Sequence, residues 1–334
     1  MENLISEINR LYDLQPHSSE KVTKGFLSEN HVLFSNDKKY FLKRYRFGRR
    51  ERIEEIHSAK KYFADGGIPV ILPIENNEGS TFFLFENGYF ALFPFVSGVQ
   101  LERGSFTDRA IISLGETLGK IHLLGKDSNL PIKERFKAWN KEKSLEKIEM
   151  IYAELKKKAN PTDFDKLALE SLETKKKLVK ENSIVYEELK LPSNHLIHGD
   201  YLDRNVFFGP DSKVSFVFDF EKTDYSPRMY ELWRSLMYSF LSSDITTEDI
   251  RRAKLYLVSY TKTYPTTKDE LVRGLKLFYL KSIHGVWVES EHYINGNDRV
   301  DEFLYRDYKR IKYLSKSLDI LEKQLGILWN YEAD

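Results

Sequence analysis

Apolar and polar residues alternate along four stretches in the first third of the chain, at 31–35, 39–45, 82–86 and 89–93. Alternation with a period of two predicts strands that are buried on one face. An asparagine followed by aspartate or glycine separates the members of each pair, which is typical of a hairpin turn. Residues 49–64 lie between the hairpins and have helical character up to a pair of glycines. The sequence therefore predicts a small antiparallel sheet with one helix.

Helical periodicity dominates the rest of the chain. One helix is predicted over 114–124, and two charged helices are predicted over 144–182, on either side of a proline. Residues 94–98 interrupt the pattern between the two regions, so we expect an α+β fold with two lobes, residues 1–95 and 96–334. Near the C-terminus, apolar residues recur at steps of three and four, which predicts a core-facing helical stripe. They are Leu304, Tyr308, Ile311, Leu314, Leu318, Leu321 and Leu325.

Size and composition narrow the class of protein. A chain of 334 residues exceeds the length that one hydrophobic core usually serves. Lys and Arg total 52 and Asp and Glu total 51, so the chain lacks the basic excess of a nucleic-acid binder. It has no cysteine, which excludes disulfides and thiolate chemistry. The sequence shows neither a signal-like N-terminus nor a bilayer-length apolar stretch, so we expect a cytoplasmic protein without nucleic-acid or membrane partners.

The segment from residue 198 to residue 221 carries the candidate chemistry. It places Asp200 and Asn205 on one short loop between apolar strand ends, and Asp219 at the end of a later strand across a hairpin. Phosphoryl transfer needs such a set, because one carboxylate takes the proton of the acceptor hydroxyl and oxygen ligands hold the Mg²⁺ ions. We expect Asp200 to be the catalytic base.

These motifs resemble the catalytic core of the aminoglycoside phosphotransferase and choline kinase group, which are small-molecule kinases with a protein-kinase-like fold. Within it, type II homoserine kinases, the bacterial stress-response kinase and spore-coat kinase-like proteins are the most similar. The resemblance extends from about Gly25 to the last helix. It implies a bilobal protein-kinase-like fold with a nucleotide-binding lobe over 1–95. The helical lobe, 96–334, would hold the catalytic loop (198–205), and ATP and Mg²⁺ would be the cofactors.

The resemblance also implies a role for each candidate residue. Asp219 would bind the metal that bridges the phosphates, and Asn205 would bind the second ion. Lys43, on a strand that alternates into the core, would hold the α- and β-phosphates while a glutamate of the following helix supports it. Glu55 fits this supporting position best, and Glu54 is the alternative.

Further residues complete the expected nucleotide site. The loop containing Ser28 occupies the place of the phosphate-covering loop of protein kinases, and its hydroxyl is a candidate phosphate donor. The adenine would lie on backbone groups of Phe93 and Phe95, in an apolar pocket at the connector between the lobes. Glu221 either contacts metal through water or is solvated. His198 would support the catalytic loop by hydrogen bonding.

The sequence thus predicts an ATP- and Mg²⁺-dependent phosphotransferase. It would move the γ-phosphate to a hydroxyl of a small molecule of the aminoglycoside, sugar or amino alcohol type. Two alternatives remain: a protein Ser/Thr kinase of the stress-response type, and a catalytically inactive kinase-fold protein with a structural or binding role. Residues 287–301 combine aromatic rings with acids and have no arginine before Arg299, which favours a neutral or amine-bearing acceptor over a carboxylate-rich one.

Overall fold

The computed structural model of the protein describes residues 2–22, 30–36, 38–46, 48–102, 104–241 and 245–330, with side chains as far as residue 323. Its first part comprises α1 (Glu2–Tyr12), β1 (Ser18–Lys21), β2 (Asn30–Ser35), β3 (Lys38–Tyr45), α2 (Arg50–Asp65), β4 (Phe83–Phe85) and β5 (Gly88–Pro94). The five strands form an antiparallel sheet in the order β1-β2-β3-β5-β4. Both predicted hairpins are confirmed, because β2 pairs with β3 and β4 pairs with β5.

Different helices cover the two faces of this sheet. On one face, Leu42 and Leu92 belong to a buried cluster with Ile8 of α1. On the other face, Phe93 belongs to the same core as Ile56 of α2. Since neighbouring residues of a strand point to opposite faces, Lys43 projects from the α2 face of β3.

The second part of the chain is mainly helical. It comprises α3 (Asp108–Lys126), α4 (Lys141–Lys156), α5 (Asp163–Glu181), β6 (His195–Ile197), β7 (Val206–Phe208), β8 (Val214–Val217), β9 (Asp224–Ser226), α6 (Arg228–Ser239), α7 (Thr247–Thr263), α8 (Lys268–His284), α9 (Trp287–Tyr293) and α10 (Glu302–Asn330). β6 pairs with β9 and β7 pairs with β8, each antiparallel. The predicted helices are confirmed. No helix in the described ranges is long and apolar enough to cross a membrane.

The main hydrophobic core passes across the expected boundary between lobes. Phe63 of α2, Leu118 of α3 and Trp233 of α6 belong to one buried cluster. A smaller core joins α4 and α5 to the start of α10, where Leu304 is buried. β5 ends at Pro94, close to the expected boundary. The division of the chain into lobes at residue 95 stays a prediction.

Close packing of α3 on β6 sets the position of the loop that follows β6. Gly125, near the end of α3, allows this approach: a Cβ atom there would come within 1.9 Å of the carbonyl oxygen of Leu196. Protein interiors are packed too densely to absorb such a contact without movement. The helix and the strand can therefore keep this spacing only with glycine.

Gly125→Ala should destabilise the fold, because its methyl group must push β6 away from α3. Overpacking of this kind costs roughly 1–3 kcal/mol. Urea unfolding monitored by circular dichroism measures the loss. Gly48→Ala is the matched control, because a Cβ at Gly48 would meet no heavy atom within 4 Å. Equal unfolding midpoints for Gly125→Ala and wild type would contradict the packing of α3 on β6.

Candidate active site

One large cavity of about 2040 Å³ separates the sheet from the helical part of the chain. Its lining includes residues from β3, β5, the loop after β6, α6, α8 and α10. The expected residues Lys43, Asp200, Asn205 and Asp219 all lie along it, with Phe93 and Phe95 at its sheet side. Folding therefore brings together groups that are up to 176 positions apart in sequence.

Lys43 makes ion pairs with two carboxylates across the cavity. Its Nζ lies 2.9 Å from Oδ1 of Asp219 and 2.7 Å from Oε1 of Glu221. Burial lowers the pKa of Lys43, but the two acids outweigh burial and raise it above its ordinary value. Glu221 is only 8% exposed and also pairs with Arg46 at 3.1 Å. Glu221 is therefore a buried partner of Lys43 rather than a solvated acid.

Asp219 is held in a backbone conformation that few residues adopt. Its φ is 63° and its ψ is 60°, in the left-handed region. Such conformations cost of order 1–3 kcal/mol and concentrate at functional sites. The next residue back, Phe218, donates its backbone N–H to the carbonyl of Asn205 at 3.1 Å. This bond ties the Asp219 turn to the loop that carries Asn205.

His198 fixes the loop after β6, as expected from the sequence. Its Nδ1 accepts a hydrogen bond from the backbone N–H of Asp200 at 3.1 Å, and its Nε2 lies 2.8 Å from the carbonyl oxygen of Phe218. A neutral imidazole with its proton on Nε2 satisfies both bonds, and burial lowers the pKa of His198. Gly199 has a φ of 85°, and a Cβ there would come within 2.1 Å of the carbonyl oxygen of Lys222.

Asp200 is a buried carboxylate held between two cations. Its Oδ1 accepts a hydrogen bond from Arg234, and its Oδ2 accepts one from Lys222 at 2.9 Å. Burial raises the pKa of Asp200, but Arg234, Lys222 and Arg204 outweigh burial and hold it well below its ordinary value. The side chain is therefore ionised across the physiological range.

A hydrogen bond to the backbone orients the side chain of Asn205. Its Nδ2 donates to the backbone carbonyl of Asp200 at 2.7 Å. The amide nitrogen is thus committed, which leaves Oδ1 as the side-chain atom able to bind a cation. Together with Asp219, it supplies one amide oxygen and one carboxylate. This sparse all-oxygen set suits Mg²⁺, which binds proteins through one or two carboxylates and keeps water and phosphate oxygens as further ligands.

Glu231 of α6 holds the backbone of the loop after β6 in place, and this role was not predicted from the sequence. Its carboxylate accepts backbone N–H bonds from His198 at 3.1 Å and Tyr201 at 3.2 Å. It also contacts Nε2 of His122 at 3.1 Å, and His122 in turn bonds the hydroxyl of Tyr260. Burial raises the pKa of Glu231, while these donors oppose that effect. No local pattern marks this residue, because its partners come from two other elements, the loop after β6 and α3.

The expected pairing of Lys43 with a glutamate of α2 is not formed. Glu55 instead bonds Arg52 at 3.0 Å and also Arg135, and Glu54 pairs with Arg50 at 2.8 Å. The reason is the rotation of α2 about its own axis, which decides which of its residues face the sheet. The buried face of α2 is formed by Ile53, Ile56, His57, Lys60 and other residues at helical spacing, which turns both glutamates away from Lys43.

Lys60 takes the inward position on α2, and sequence reasoning missed it. Its Nζ donates to the carbonyl of Ile71 at 2.7 Å and lies 4.8 Å from the ring centre of Phe93. Burial and the neighbouring charge of Lys43 lower the pKa of Lys60 to about 7. The spacing of three and four residues from Ile53 to Ile56 and Lys60 is the sequence pattern that could have indicated this inward position.

Three further residues were expected in the nucleotide site: Ser28, Phe93 and Phe95. Ser28 lies outside the described residues. Phe93 is buried, whereas Phe95 is 44% exposed at the mouth of the cavity. The backbone N–H of Phe95 donates to the carbonyl of Lys39 at 3.4 Å. Its carbonyl is therefore the more available backbone group for a ligand.

Three acids of residues 287–301 have bonding partners elsewhere in the chain. Glu289 is buried and pairs with Lys175 at 2.6 Å, and Asp301 pairs with His292 at 2.9 Å. Glu291 accepts side-chain amide bonds from two asparagines. Glu289 and Asp301 are therefore already paired within the fold, whereas the expectation of a neutral or amine-bearing acceptor stays a prediction.

Lys60→Met should change how stability depends on pH. The pKa of Lys60 falls from 10.5 to about 7 on folding, so between these values the unfolded state binds more protons and the contribution of Lys60 to stability rises with pH. That contribution is complete above pH 10.5. It decreases as the pH is lowered from 10.5 and is lost once the pH is below about 7. The wild-type unfolding free energy minus that of the variant should rise by up to about 1.4 kcal/mol per pH unit in this window.

Urea unfolding of both proteins at several pH values from about 6 to 9 measures this difference. Lys61→Met is the matched control, because Lys61 is an exposed neighbour that pairs with Asp65 at 2.9 Å. Its difference from wild type should stay level over the same range. A level profile for Lys60→Met as well would show that Lys60 keeps its proton in the folded protein.

Solved structures provide an independent comparison of the fold. A spectinomycin phosphotransferase solved with ADP and spectinomycin has a TM-score of 0.64, at 17% identity over 94% of each chain. An amicoumacin kinase solved with AMP-PNP, Ca²⁺ and its substrate gives 0.57, at 14% identity over 90% of this chain and 93% of that one. Choline kinase from Cryptosporidium parvum Iowa II gives 0.58, at 13% identity over 97% and 99%. The predicted protein-kinase-like fold is confirmed.

Sequence comparison gives the family. No curated protein matches the chain significantly. The model of the phosphotransferase enzyme family, in contrast, matches residues 21–267, which include β3, α2, the loop after β6 and α6. The likeness to aminoglycoside phosphotransferases and choline kinases, first indicated by the motif from 198 to 221, is thereby confirmed. The chain belongs to the phosphotransferase enzyme family.

Proposed function

We propose that the protein is an ATP- and Mg²⁺-dependent phosphotransferase that moves the γ-phosphate of ATP to a hydroxyl of a small molecule. One observation carries this proposal. Lys43, Asp219 and Asn205 line one side of a single cavity, and Asp200 lies beside them with the cavity continuing past it. This order matches what phosphoryl transfer needs: a phosphate grip, cation ligands and then a base that faces the acceptor.

The nucleotide would lie between β3, β5 and the Asp219 turn. The base would contact the sheet side of the cavity near Phe93 and the carbonyl of Phe95, where Phe41, Ile56 and Ile71 supply an apolar wall. Lys43 would exchange its ion pairs with Asp219 and Glu221 for the phosphates. Two of the structures with this fold contain ADP or AMP-PNP, which supports a nucleotide at this position.

Asp219 and Asn205 would hold the Mg²⁺. When bound, the metal neutralises charge on the phosphates during transfer. Asp219 contributes a carboxylate that faces the cavity, and the bond from Nδ2 of Asn205 to the Asp200 carbonyl turns its oxygen toward the same space. The amicoumacin kinase structure contains Ca²⁺, which supports a divalent cation in this fold.

Asp200 would act as the base. The acceptor oxygen forms a bond to the γ-phosphorus, the bond from that phosphorus to the β-phosphate oxygen breaks, and ADP leaves with the electron pair. The hydroxyl proton passes to Asp200. The low pKa of Asp200 keeps the carboxylate ionised and able to orient the hydroxyl, which suits proton transfer late in the reaction.

The acceptor would bind on the far side of Asp200, toward α6, α8 and α10. Related structures contain spectinomycin or amicoumacin, and others are kinases of choline and aminopropanol. These names support a small alcohol as the acceptor here, the broad class that includes the aminoglycoside, sugar and amino alcohol types expected from the sequence. The charges that line this side of the cavity bear on the charge of the acceptor.

Asp200→Asn should abolish most phosphoryl transfer, because an amide keeps the shape of the side chain but cannot take the proton. A loss of about 10²- to 10⁴-fold in kcat is expected, measured as ADP release with a panel of alcohols. Asp203→Asn on the same loop is the matched control, because Asp203 does not line the cavity. Near-normal turnover by Asp200→Asn would exclude Asp200 as the base.

Lys43→Ala and Asp219→Ala should both weaken ATP binding, but only the second defect should respond to Mg²⁺. Removing Asp219 takes away a metal ligand, which a higher Mg²⁺ concentration partly offsets by mass action. Removing Lys43 takes away a contact to phosphate that Mg²⁺ does not replace. Calorimetric titration with ATP at several Mg²⁺ concentrations tests both.

Arg44→Ala is the control for the Lys43 variant, because Arg44 is next on the strand and lies against Phe90 on the opposite face. It should bind ATP as the wild type does. Identical Mg²⁺ profiles for Lys43→Ala and Asp219→Ala would argue that the two residues do not have separate roles.

A further inference from the structure

The acceptor side of the cavity is lined by basic residues from several elements. Arg234 lies on α6, Lys281 on α8 and Arg310 on α10, and Lys222 follows the Asp219 turn. We call these four residues the basic cluster. Helical spacing explains how α6 contributes, because Tyr230, Arg234 and Tyr238 are four residues apart and share one face.

Two guanidinium groups of the basic cluster share one aromatic ring. Arg310 lies 3.9 Å and Arg234 lies 4.6 Å from the ring centre of Tyr238. Arg310 is only 4% exposed. Its Nη1 bonds Asp307 at 2.8 Å, whereas its buried Nε has no acceptor among the described residues. Both arginines line the cavity, and two positive charges near one ring favour an anion at this point.

Lys281 extends the cluster into the open part of the cavity. Its side chain is exposed there, with Nζ 5.0 Å from the ring centre of Trp139. Partial burial and the positive charges of Arg234 and Lys222 lower the pKa of Lys281. The neighbouring charges that act on this lysine are thus themselves positive.

The acids nearby do not balance the cluster. Asp200 is shared by Arg234 and Lys222, and Asp307 is bonded by Arg310. Two acids of α9 lie nearby: Glu289 is buried against Lys175, and Glu291 lines the cavity and accepts bonds from two asparagine amides. Among the described residues, the four cations of the cluster thus make ion pairs with only two carboxylates, and one of these must also meet the acceptor hydroxyl.

We propose that the acceptor carries an anionic oxygen group, a carboxylate or a phosphate, in addition to its hydroxyl, and that Lys281, Arg310 and Arg234 bind this group. The inference rests on the proposed function and names its substrate class. Arginine suits the task, because its planar group binds carboxylate or phosphate through two parallel hydrogen bonds. An anion at this point would also draw Arg234 from Asp200 and so free an oxygen of the base for the hydroxyl.

An amine-bearing acceptor fits this side of the cavity poorly. An ammonium group placed beside Asp200 would meet the charges of Lys222, Arg234 and Lys281 at short range. Like charges at such sites oppose binding and select against the wrong partner. The basic cluster therefore discriminates against aminoglycosides and amino alcohols while it attracts acids of similar size.

Matched acceptors that differ in charge test the inference through ADP release. Glycerate and glycerol 3-phosphate offer a carboxylate and a phosphate, whereas glycerol and 2-aminoethanol are neutral and cationic. The kcat/KM of at least one anionic compound should exceed that of glycerol by about tenfold or more. The better of the two anionic compounds identifies the group. A preference for glycerol or 2-aminoethanol would overturn the inference and leave the proposed function intact.

Lys281→Gln should reduce the preference for the anionic compound over glycerol by about 10- to 100-fold, mainly through KM, because it removes one charged hydrogen bond. Lys268→Gln is the matched control: it makes the same change at the exposed start of α8, outside the cavity lining. Arg310→Lys tests the buried position while it keeps the charge. An unchanged preference in Lys281→Gln would overturn the inference.

A binding measurement decides the matter even if none of these compounds accepts phosphate. Inorganic phosphate is titrated calorimetrically into protein already saturated with Mg·AMP-PNP, so that the γ-phosphate position is filled. Saturable binding that weakens about tenfold or more in Lys281→Gln, but not in Lys268→Gln, is expected. No saturable binding, or equal binding by both variants, would overturn the inference. Failure of Mg·AMP-PNP itself to bind would instead count against the proposed function.

Discussion

The active site of this protein depends on one buried carboxylate, that of Glu231. It accepts hydrogen bonds from the backbone of the loop after β6 and contacts His122 of α3, which in turn contacts Tyr260 of α7. A buried charge is tolerated only when several donors satisfy it, so the loop, α3 and α6 must keep their relative positions. The orientation of Asp200 follows from this constraint, because its backbone is fixed by His198 on the same loop.

Around this fixed loop, the charges of the cavity fall into two zones. On the sheet side, Lys43 is matched by Asp219 and Glu221, an arrangement that phosphates and a divalent cation can enter by exchange of partners. On the helical side, the four cations of the basic cluster make ion pairs with only two carboxylates of the described residues. Asp200 lies between the zones and is ionised because cations surround it. The same residue would thus link the proposed nucleotide side to the proposed acceptor side electrostatically.

Local segments of the chain were predictable because short-range pattern determines them. The hairpins of the sheet follow from alternation and turn residues, and Asp200, Asn205 and Asp219 belong to one strand–loop–hairpin segment. Glu55 shows where such reasoning fails. The strand and the helix that follows it were both predicted, but the rotation of α2 against the sheet depends on the packing of Ile53, Ile56 and Phe63. That packing turns Lys60, rather than a glutamate, toward the cavity.

The sequence by itself determined the elements, the fold class, the family likeness and the grouping of the candidate catalytic residues, because each depends on neighbours in the chain. Only the tertiary structure decided which charges meet on the acceptor side. Arg234, Lys281 and Arg310 lie on three helices, whereas Glu289 and Asp301 were available by sequence but are paired in the fold. A sequence shows which residues are charged but not how far apart they lie. Electrostatic interaction depends on distance and burial, and both are set by packing between remote segments.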